Sequence, residues 1–333
     1  MTTEIRTDPR APLASVGRGT ALVLLSSACF ATSGPLGRAA MNVGINPMQV
    51  ASARIGVAAL ALLVVVAVAK PKLLRISRPA FGLVIAYGLL GVAGVQVLYF
   101  IAVSRLPVGV ALLLEYLSAV LVAAWVRLVR RTVLPRAVWL GVGLAVLGLV
   151  LVGELWQGGA LNGIGLAAGL ATSACSAAYF LLGERGAATE HPIAMATWGL
   201  VVGAVAMCLL APMWTIPVRQ LTAGAALGPW HPSTWSVLLV IALLSTVAAY
   251  VTGMAAMRHL PSAVMSVLAL AEPVISIGLA WLLLGQALSV PQLLGGVLIL
   301  TGATVVQLAN ARKTRAAQRK ARARDVREAI TPG

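Results

Sequence analysis

The stretch that decides the fold runs from Leu260 to Leu288 and reads LPSAVMSVLALAEPVISIGLAWLLLGQAL. It is longer than the roughly 20 apolar residues with which a helix crosses a bilayer. Glu272 and Pro273 interrupt it near the middle. A carboxylate at bilayer depth is costly, so it usually faces a cavity or a partner. Proline frees the carbonyl of Ala269 one turn earlier, which predicts a helix break beside the acid.

A second stretch has the same character. Leu106 and Pro107 open an apolar run that ends near Val126 and carries Glu115-Tyr116-Leu117-Ser118 at its midpoint. The two runs predict a pair of related helices, each with one carboxylate near the middle of the membrane.

The composition is that of a polytopic membrane protein. Of the 333 residues, 60% are hydrophobic and 10% are charged, whereas soluble domains average about 25% charged residues. The apolar runs predict an all-α fold of ten transmembrane helices. The predicted spans are residues 20–37, 48–69, 81–101, 107–126, 137–153, 163–183, 193–214, 235–256, 261–284 and 288–308.

The distribution of Lys and Arg predicts the orientation. Ten alternating spans place 21 of the 25 basic residues on one side of the membrane, 3 on the other and Arg54 within a span. Because basic loops stay in the cytoplasm, both termini are predicted to be cytoplasmic, in a multi-pass protein of the cell membrane. The net charge of +16 then reflects topology and not nucleic-acid binding. The basic tail is expected to lie on anionic lipid headgroups.

The chain contains two related halves of five spans each. Under a shift of 154 residues, Gln96, Leu106, Gly141 and Gly148 map onto Tyr250, Leu260, Gly295 and Gly302. Under a shift of 146 residues, Gly19, Ser27 and Gly37 map onto Gly165, Ser173 and Gly183. An odd number of spans inserts the second half upside down, a pattern typical of secondary transporters with a site at the repeat interface. The predicted segments are 1–19, 20–153, 160–308 and 309–333.

With these features the sequence resembles the drug/metabolite transporter superfamily, and specifically its EamA-type ten-helix members. The resemblance covers about residues 18–308 and rests on the doubled unit and on its fourth span. That span begins at a Leu-Pro step and contains Tyr-Leu-Ser in the first half or Ala-Glu-Pro-Val in the second. A glycine-rich span follows, with Gly295 and Gly302. The resemblance implies export or exchange of small metabolites, such as amino acids or drug-like compounds, without ATP.

Eight side chains are predicted to form the substrate and proton pathway. They are Arg54, Gln96, Tyr99, Glu115, Tyr116, Ser118, Tyr250 and Glu272. Glu272, beside the helix break at Pro273, is predicted to bind a proton or a cationic group of the substrate, because desolvation favours the protonated acid. Uniport, with polar groups that only recognise the substrate, is the alternative. Arg54 is expected to bind a substrate carboxylate, pair with Glu115 or extend to the headgroups.

Other functions remain open at this point. One is an intramembrane enzyme with Glu115 and Glu272 as acid and base, and another is a non-transporting sensor or scaffold. The three histidines lack metal-ligand spacing, and no glycine-rich phosphate loop with lysine is present. No catalytic residue, metal or cofactor is therefore predicted, and the expected partner is a small-molecule substrate. Trp198 is expected to pack between helices, with a cavity wall as the alternative.

Overall fold

A computed structural model describes residues 13–103, 105–106, 108–152, 162–284 and 289–330. The first twelve residues of the predicted N-terminal segment and the predicted junction of the two halves at 153–161 lie outside these ranges. Regular structure in the described part is helical. The exceptions are two isolated β-bridges, which pair Gly224 with Ser233 and Leu227 with Trp230. These residues thus form an all-helical membrane protein.

The α-helices are numbered in chain order. They are α1 Leu13–Ala31, α2 Ser33–Asn42, α3 Pro47–Ala69, α4 Phe81–Ala86, α5 Val95–Val103, α6 Val108–Tyr116, α7 Ser118–Leu128, α8 Arg136–Val152, α9 Gly163–Thr189, α10 Pro192–Leu210, α11 Val218–Thr222, α12 Thr234–Ala242, α13 Ala249–Ala256, α14 Ser262–Leu268, α15 Ala271–Leu284 and α16 Val290–Ile330. A π-helix, Tyr87–Gly94, joins α4 to α5, and another, Leu243–Ala248, joins α12 to α13.

Eight of the ten predicted spans coincide with helical segments that are long and apolar enough to cross a membrane within the described ranges. The other two, predicted at 137–153 and 261–284, coincide with the shorter apolar helices Arg136–Leu151 and Ser262–Ser276. A polytopic membrane protein is therefore confirmed, and the number of ten spans stays a prediction.

The two π-helices occupy matching places in the two halves. Under the shift of 154 residues, the last residue of the first, Gly94, maps onto the last residue of the second, Ala248. A π-turn leaves backbone groups without their α-helical partners. The Thr246 hydroxyl compensates in the second half by donating to the carbonyl of Ile241 at 3.1 Å.

Helices α8 and α16 pack closely and antiparallel through glycines. A β-carbon at Gly148 would lie 2.5 Å from the carbonyl oxygen of Gly295, and one at Gly302 would lie 2.5 Å from that of Gly141. The shift of 154 residues exchanges these two contacts with each other. Only residues without a side chain allow two helix backbones to approach so closely.

A second pair of contacts is related by the internal repeat in the same way. Gly19 packs against Leu260, with 2.8 Å from a β-carbon to Cγ, and Gly165 packs against Leu106, with 2.7 Å. Gly19 maps onto Gly165 and Leu106 maps onto Leu260, so each contact is the image of the other. Each of these four contacts joins an element of one half to an element of the other.

The loops predicted to share one side of the membrane contact one another. The Ser77 hydroxyl donates to Glu190 Oε1 at 2.5 Å, and the Arg258 guanidinium donates to the carbonyl of Glu190 at 2.9 Å. Trp198 Nε1 donates to the carbonyl of Leu74 at 2.9 Å. We term this part of the bundle the basic end. It comprises the loops around residues 70–80, 128–136, 184–192 and 257–262.

The opposite end of the bundle is formed by the remaining described loops. Gln220 Nε2 donates to the carbonyl of Gly44 at 3.3 Å, and Gln49 Nε2 donates to the Thr215 hydroxyl at 2.9 Å. The long loop between α10 and α12 thus packs on the loop between α2 and α3. The two ends of the bundle are therefore made by two different sets of loops.

Candidate functional site

A cavity of about 250 Å³ lies between the helices of the two halves. Seven of the eight residues predicted for the pathway line it. They are Arg54, Gln96, Tyr99, Glu115, Tyr116, Tyr250 and Glu272. The remaining one, Ser118, is 2% exposed and lies outside the cavity lining. The structure therefore brings both carboxylates and Arg54 to one cavity.

The break in the second half positions Glu272. Helix α14 ends at Leu268 and α15 begins at Ala271, so the break falls just before the acid. Pro273 occupies the first turn of α15, where a backbone N–H has no helical partner. The carbonyl of Ala269 accepts from the backbone N–H of Glu272 at 2.9 Å, which satisfies the group that the proline frees. This turn directs the Glu272 carboxyl into the cavity.

The first half breaks at the matching place without a proline. Helix α6 ends at Tyr116 and α7 begins at Ser118, with Leu117 between them. The backbone N–H of Leu117 is shared between the carbonyls of Leu113 at 3.0 Å and Leu114 at 3.3 Å. Under the shift of 154 residues Leu117 maps onto Ala271, the first residue of α15. The sequence signalled only one of these two breaks.

Arg54 stands in the cavity without an ionic partner. It lies on α3, two turns after the Asn46 cap, whose side chain accepts from the backbone N–H of Met48. The Arg54 Nε is buried and has no hydrogen-bond partner. Glu115 and Glu272 lie within electrostatic range of the guanidinium, but neither comes within the 4.0 Å of an ion pair. The expected pairing of Arg54 with Glu115 is therefore absent.

Two tyrosine hydroxyls lie near the charged groups of the cavity. The Tyr116 hydroxyl of the first half lies near the Glu272 carboxyl of the second half. The Tyr250 hydroxyl lies within electrostatic range of Arg54. A tyrosine can donate to a carboxylate and accept from a guanidinium. Both hydroxyls can thus orient the charges around an occupant.

Aromatic rings form the wall near Tyr250. Phe30 meets the Tyr250 ring edge to face at a centroid distance of 5.2 Å, and Tyr179 meets it at 5.8 Å. A β-carbon at Gly253 would lie 3.1 Å from the Tyr179 hydroxyl, so this glycine leaves room beside it. Phe30 was not predicted to line the cavity. The only signal for Phe30 was its place one turn after Ser26 and Ser27.

The small polar residues of α1 also reach the cavity. Ser26 and Ser27 line it, although each is less than 5% exposed. The Ser26 hydroxyl donates to the carbonyl of Ala249 at 2.8 Å, just after the second π-helix. Ser26 therefore joins α1 to α13 and stands at the cavity surface at the same time.

Other candidates lie elsewhere. Trp198 is absent from the cavity lining and donates to a carbonyl at the basic end, which agrees with its expected packing role. The cysteines Cys29, Cys175 and Cys208 are free thiols. In the ranges that the structure describes, no three His, Cys, Asp or Glu side chains are placed to hold a metal ion.

Comparison with known proteins gives the family context. The sequence profile of the EamA-like transporter family matches residues 17–153 and 163–308. The threonine/homoserine exporter RhtA of Escherichia coli (strain K12) is 32% identical over 240 residues, which are 71% of this chain and 74% of that protein. The uncharacterized transporter YyaM of Bacillus subtilis (strain 168) is 24% identical over 84% of this chain and 91% of its own.

A solved structure shares the fold. It superposes with a TM-score of 0.69 at 21% sequence identity, over 88% of this chain and 98% of the other. At this identity the likeness concerns the arrangement of the helices alone.

Proposed function

This chain belongs to the EamA-like transporter family, and we propose that it exports a zwitterionic amino acid through the cavity between its two halves. It is a multi-pass inner-membrane protein and a transporter of small metabolites. The amino-acid class, the route and the coupling ion are the parts that we propose.

The observation that carries the proposal is the set of separated charges in one cavity. Arg54 and the two carboxylates, Glu115 and Glu272, face the same space without forming an ion pair. A charge in a low-dielectric site is costly unless a partner neutralises it. An α-amino acid brings a carboxylate for the guanidinium, which binds carboxylates with two parallel hydrogen bonds. Its ammonium group suits the two glutamates.

The size of the cavity and the substrate of a relative both favour a small amino acid. Its volume of about 250 Å³ lies just below the roughly 300–1,000 Å³ of pockets for drug-sized ligands. RhtA is by name an exporter of threonine and homoserine, two small zwitterions. We therefore propose a small amino acid in preference to a bulky drug-like compound.

We propose alternating access between two inverted repeats, residues 20–153 and 160–308, flanked by the segments 1–19 and 309–333. The exchanged contact pairs of Gly148 with Gly295 and of Gly302 with Gly141 support this symmetry. The two helix breaks beside the acids support a site at the repeat interface. In this proposal ten helices span the membrane, and the basic end and both termini are cytoplasmic, as positive-inside loops require.

The remaining parts of the proposal concern partners. Protons are proposed as the coupling ion because Glu272 and Glu115 share a desolvated space. The relatives are transporters by name, and we propose that the chain itself catalyses no covalent reaction. Helix α16 continues from its span to Ile330, and we propose that its basic residues contact anionic lipid and not nucleic acid.

Uptake of radiolabelled threonine into inside-out vesicles tests the proposal. Arg54→Gln removes the charge that would bind the carboxylate, and we expect transport to fall by about tenfold, as for loss of a charge-assisted hydrogen bond. Arg219→Gln is the matched control, because Arg219 is exposed on the short helix α11 at the opposite end. It should transport like the wild type.

Competition with unlabelled analogues defines the substrate class. Homoserine should compete with threonine for transport. The threonine analogue that lacks the carboxylate and N-acetylthreonine should not compete. Equal competition by all three compounds, or wild-type transport by Arg54→Gln, would refute the zwitterion proposal.

A further inference from the structure

A network of three residues joins the two halves at the basic end. Arg130, in the loop after α7, forms an ion pair with Glu184 near the end of α9. Glu184 Oε1 accepts from the backbone N–H of Ser262 at 3.1 Å, and Oε2 accepts from the Ser262 hydroxyl at 3.1 Å. We term Arg130, Glu184 and Ser262 the carboxylate network.

The network lies at the inner limit of the cavity. Ser262 begins α14, and Met265, one turn later on that helix, lines the cavity. Glu184 stands one turn after Phe180, which also lines it. The lining continues away from the network as far as Met41, one residue before α2 ends. The network therefore lies next to the cavity lining on the side of the basic end, and the lining extends from there toward the opposite end.

Partial burial strengthens the bonds of the carboxylate network. The side chains of Arg130 and Glu184 are each 22% exposed. Exposed ion pairs contribute little because water and salt screen them. Hydrogen bonds that involve an ionised group are stronger when the group is partly withdrawn from water. Glu184 uses both oxygens on partners from two other segments, the loop after α7 and the start of α14, so its loss removes the bonds from α9 to both of them.

The matching positions at the opposite end cannot form the same bonds. The shift of 146 residues relates Glu184 to Arg38, and the shift of 154 residues relates Arg130 to Leu284 and Ser262 to Val108. No acid is present among these three, and the Arg38 side chain is exposed. The internal symmetry of the chain thus pairs a bonded carboxylate at one end with an exposed cation at the other.

We propose that the carboxylate network is the gate that closes the basic end, and that it opens once in each transport cycle. The inference rests on the proposed alternating access but not on the identity of the substrate. The gate favours the state in which the cavity opens only toward the opposite end. A change at Glu184 therefore shifts the population toward the state open to the basic end.

Cysteine accessibility tests the gate. In a protein with Cys29, Cys175 and Cys208 replaced by serine, Ser176→Cys places a reporter thiol in the cavity lining. A membrane-impermeant thiol reagent is applied to vesicles from either face. With Glu184→Gln, we expect the labelling rate from the basic end to rise about fivefold or more and the rate from the opposite end to fall.

Matched variants separate the gate from general destabilisation. Arg185→Gln removes an exposed charge from the next residue of α9 and should label like the parent protein. Glu184→Asp keeps the charge and should restore most of the parent rate. Arg130→Gln should raise labelling from the basic end, and combination with Glu184→Gln should add little, because both remove one ion pair.

The outcomes distinguish this inference from the proposed function. Unchanged labelling in both Glu184→Gln and Arg130→Gln overturns the gate, whatever the substrate. A shift in labelling in a protein that fails the threonine assay supports the gate and refutes the substrate. If Glu184→Gln does not insert, Arg130→Gln alone decides, since it leaves the Glu184 bonds to Ser262 in place.

Discussion

Arg54 and Glu272 line one cavity from opposite halves of the chain, yet more than 4.0 Å separates the charged atoms of the two side chains. The helix break at Ala269–Leu270 points the carboxyl into the space. The guanidinium reaches the same space from α3 with one nitrogen unpartnered. This separation leaves room for an occupant that bears both charges.

Glu272→Gln tests proton coupling. The amide keeps the size of the side chain and can still meet the Tyr116 hydroxyl, but it cannot carry a proton across the membrane. We expect the variant to insert and to lose most of the pH dependence of flux. Threonine flux in proteoliposomes, measured with and without an imposed pH gradient, provides the measurement. Glu115→Gln should show a milder defect, since Glu115 lies three residues from the position related to Glu272.

Wild-type flux with unchanged pH dependence in Glu272→Gln would leave no role for this acid in coupling. The uniport alternative, in which Gln96 and Tyr99 only recognise the substrate, would then account for transport. Monodisperse size-exclusion profiles of each variant provide the control for folding.

The glycines of α8 give a prediction about stability. A β-carbon at Gly141 would lie 2.6 Å from the carbonyl oxygen of Gly302, so Gly141→Ala forces α8 and α16 apart. We expect a loss of about 1–3 kcal/mol, as for an overpacked core. Gly143, on the same helix, has nothing within 4 Å of its added β-carbon. Gly143→Ala is the control and should keep the melting temperature or raise it slightly.

Thermal unfolding of the two variants in detergent measures the difference. Equal melting temperatures for Gly141→Ala and Gly143→Ala would mean that the close contact of these helices contributes nothing to stability.

The orientation can be tested with two alanine-to-cysteine substitutions. Ala226, in the loop at the opposite end, and Ala188, near the end of α9 at the basic end, are both exposed. Gly228, in the same loop, is not used because its φ of 59° disfavours any side chain. We expect an impermeant reagent added to intact cells to label Ala226→Cys and not Ala188→Cys. The reverse pattern would overturn the predicted topology.

We expect the cap that His191 forms at the start of α10 to be sensitive to acid. Its Nδ1 accepts from the backbone N–H of Ile193 at 3.2 Å and caps α10. Burial lowers the pKa of His191, and the nearby cations Arg258 and Lys70 lower it further. The neutral form makes the cap, so its contribution is complete above the ordinary histidine pKa. It is lost as pH falls through the lowered value of the folded state.

His191→Asn keeps an acceptor at the cap and removes the titration. We expect its melting temperature to fall less between about pH 7.5 and pH 5 than that of the wild type. His191→Ala should lower stability at about pH 7.5 and have little effect at about pH 5, where the wild type has already lost the cap. An acid-dependent loss of the same size in His191→Asn and in the wild type would assign the effect to another group.

The site could be predicted in large part because membrane burial leaves few polar residues to choose from. In a chain with 10% charged residues, an acid inside an apolar run has few functions besides facing a cavity. Glu115, Glu272 and Arg54 were found in this way, and the internal repeat indicated that the two acids lie near each other. Ser118 was predicted by the same repeat logic, but it is buried outside the cavity lining, beyond the break at Leu117.

What the sequence by itself determined is the membrane class, the family and the position of the polar residues along the helices. Hydropathy, charge bias and repeat spacing are properties of the chain in one dimension, so they needed no contacts. Only the tertiary structure decided that Arg54 stays unpaired, that Phe30 meets Tyr250, and that Glu184 binds Arg130 and Ser262. Glu184 and Ser262 are 78 residues apart, and no local periodicity records which side chains meet when separate helices pack.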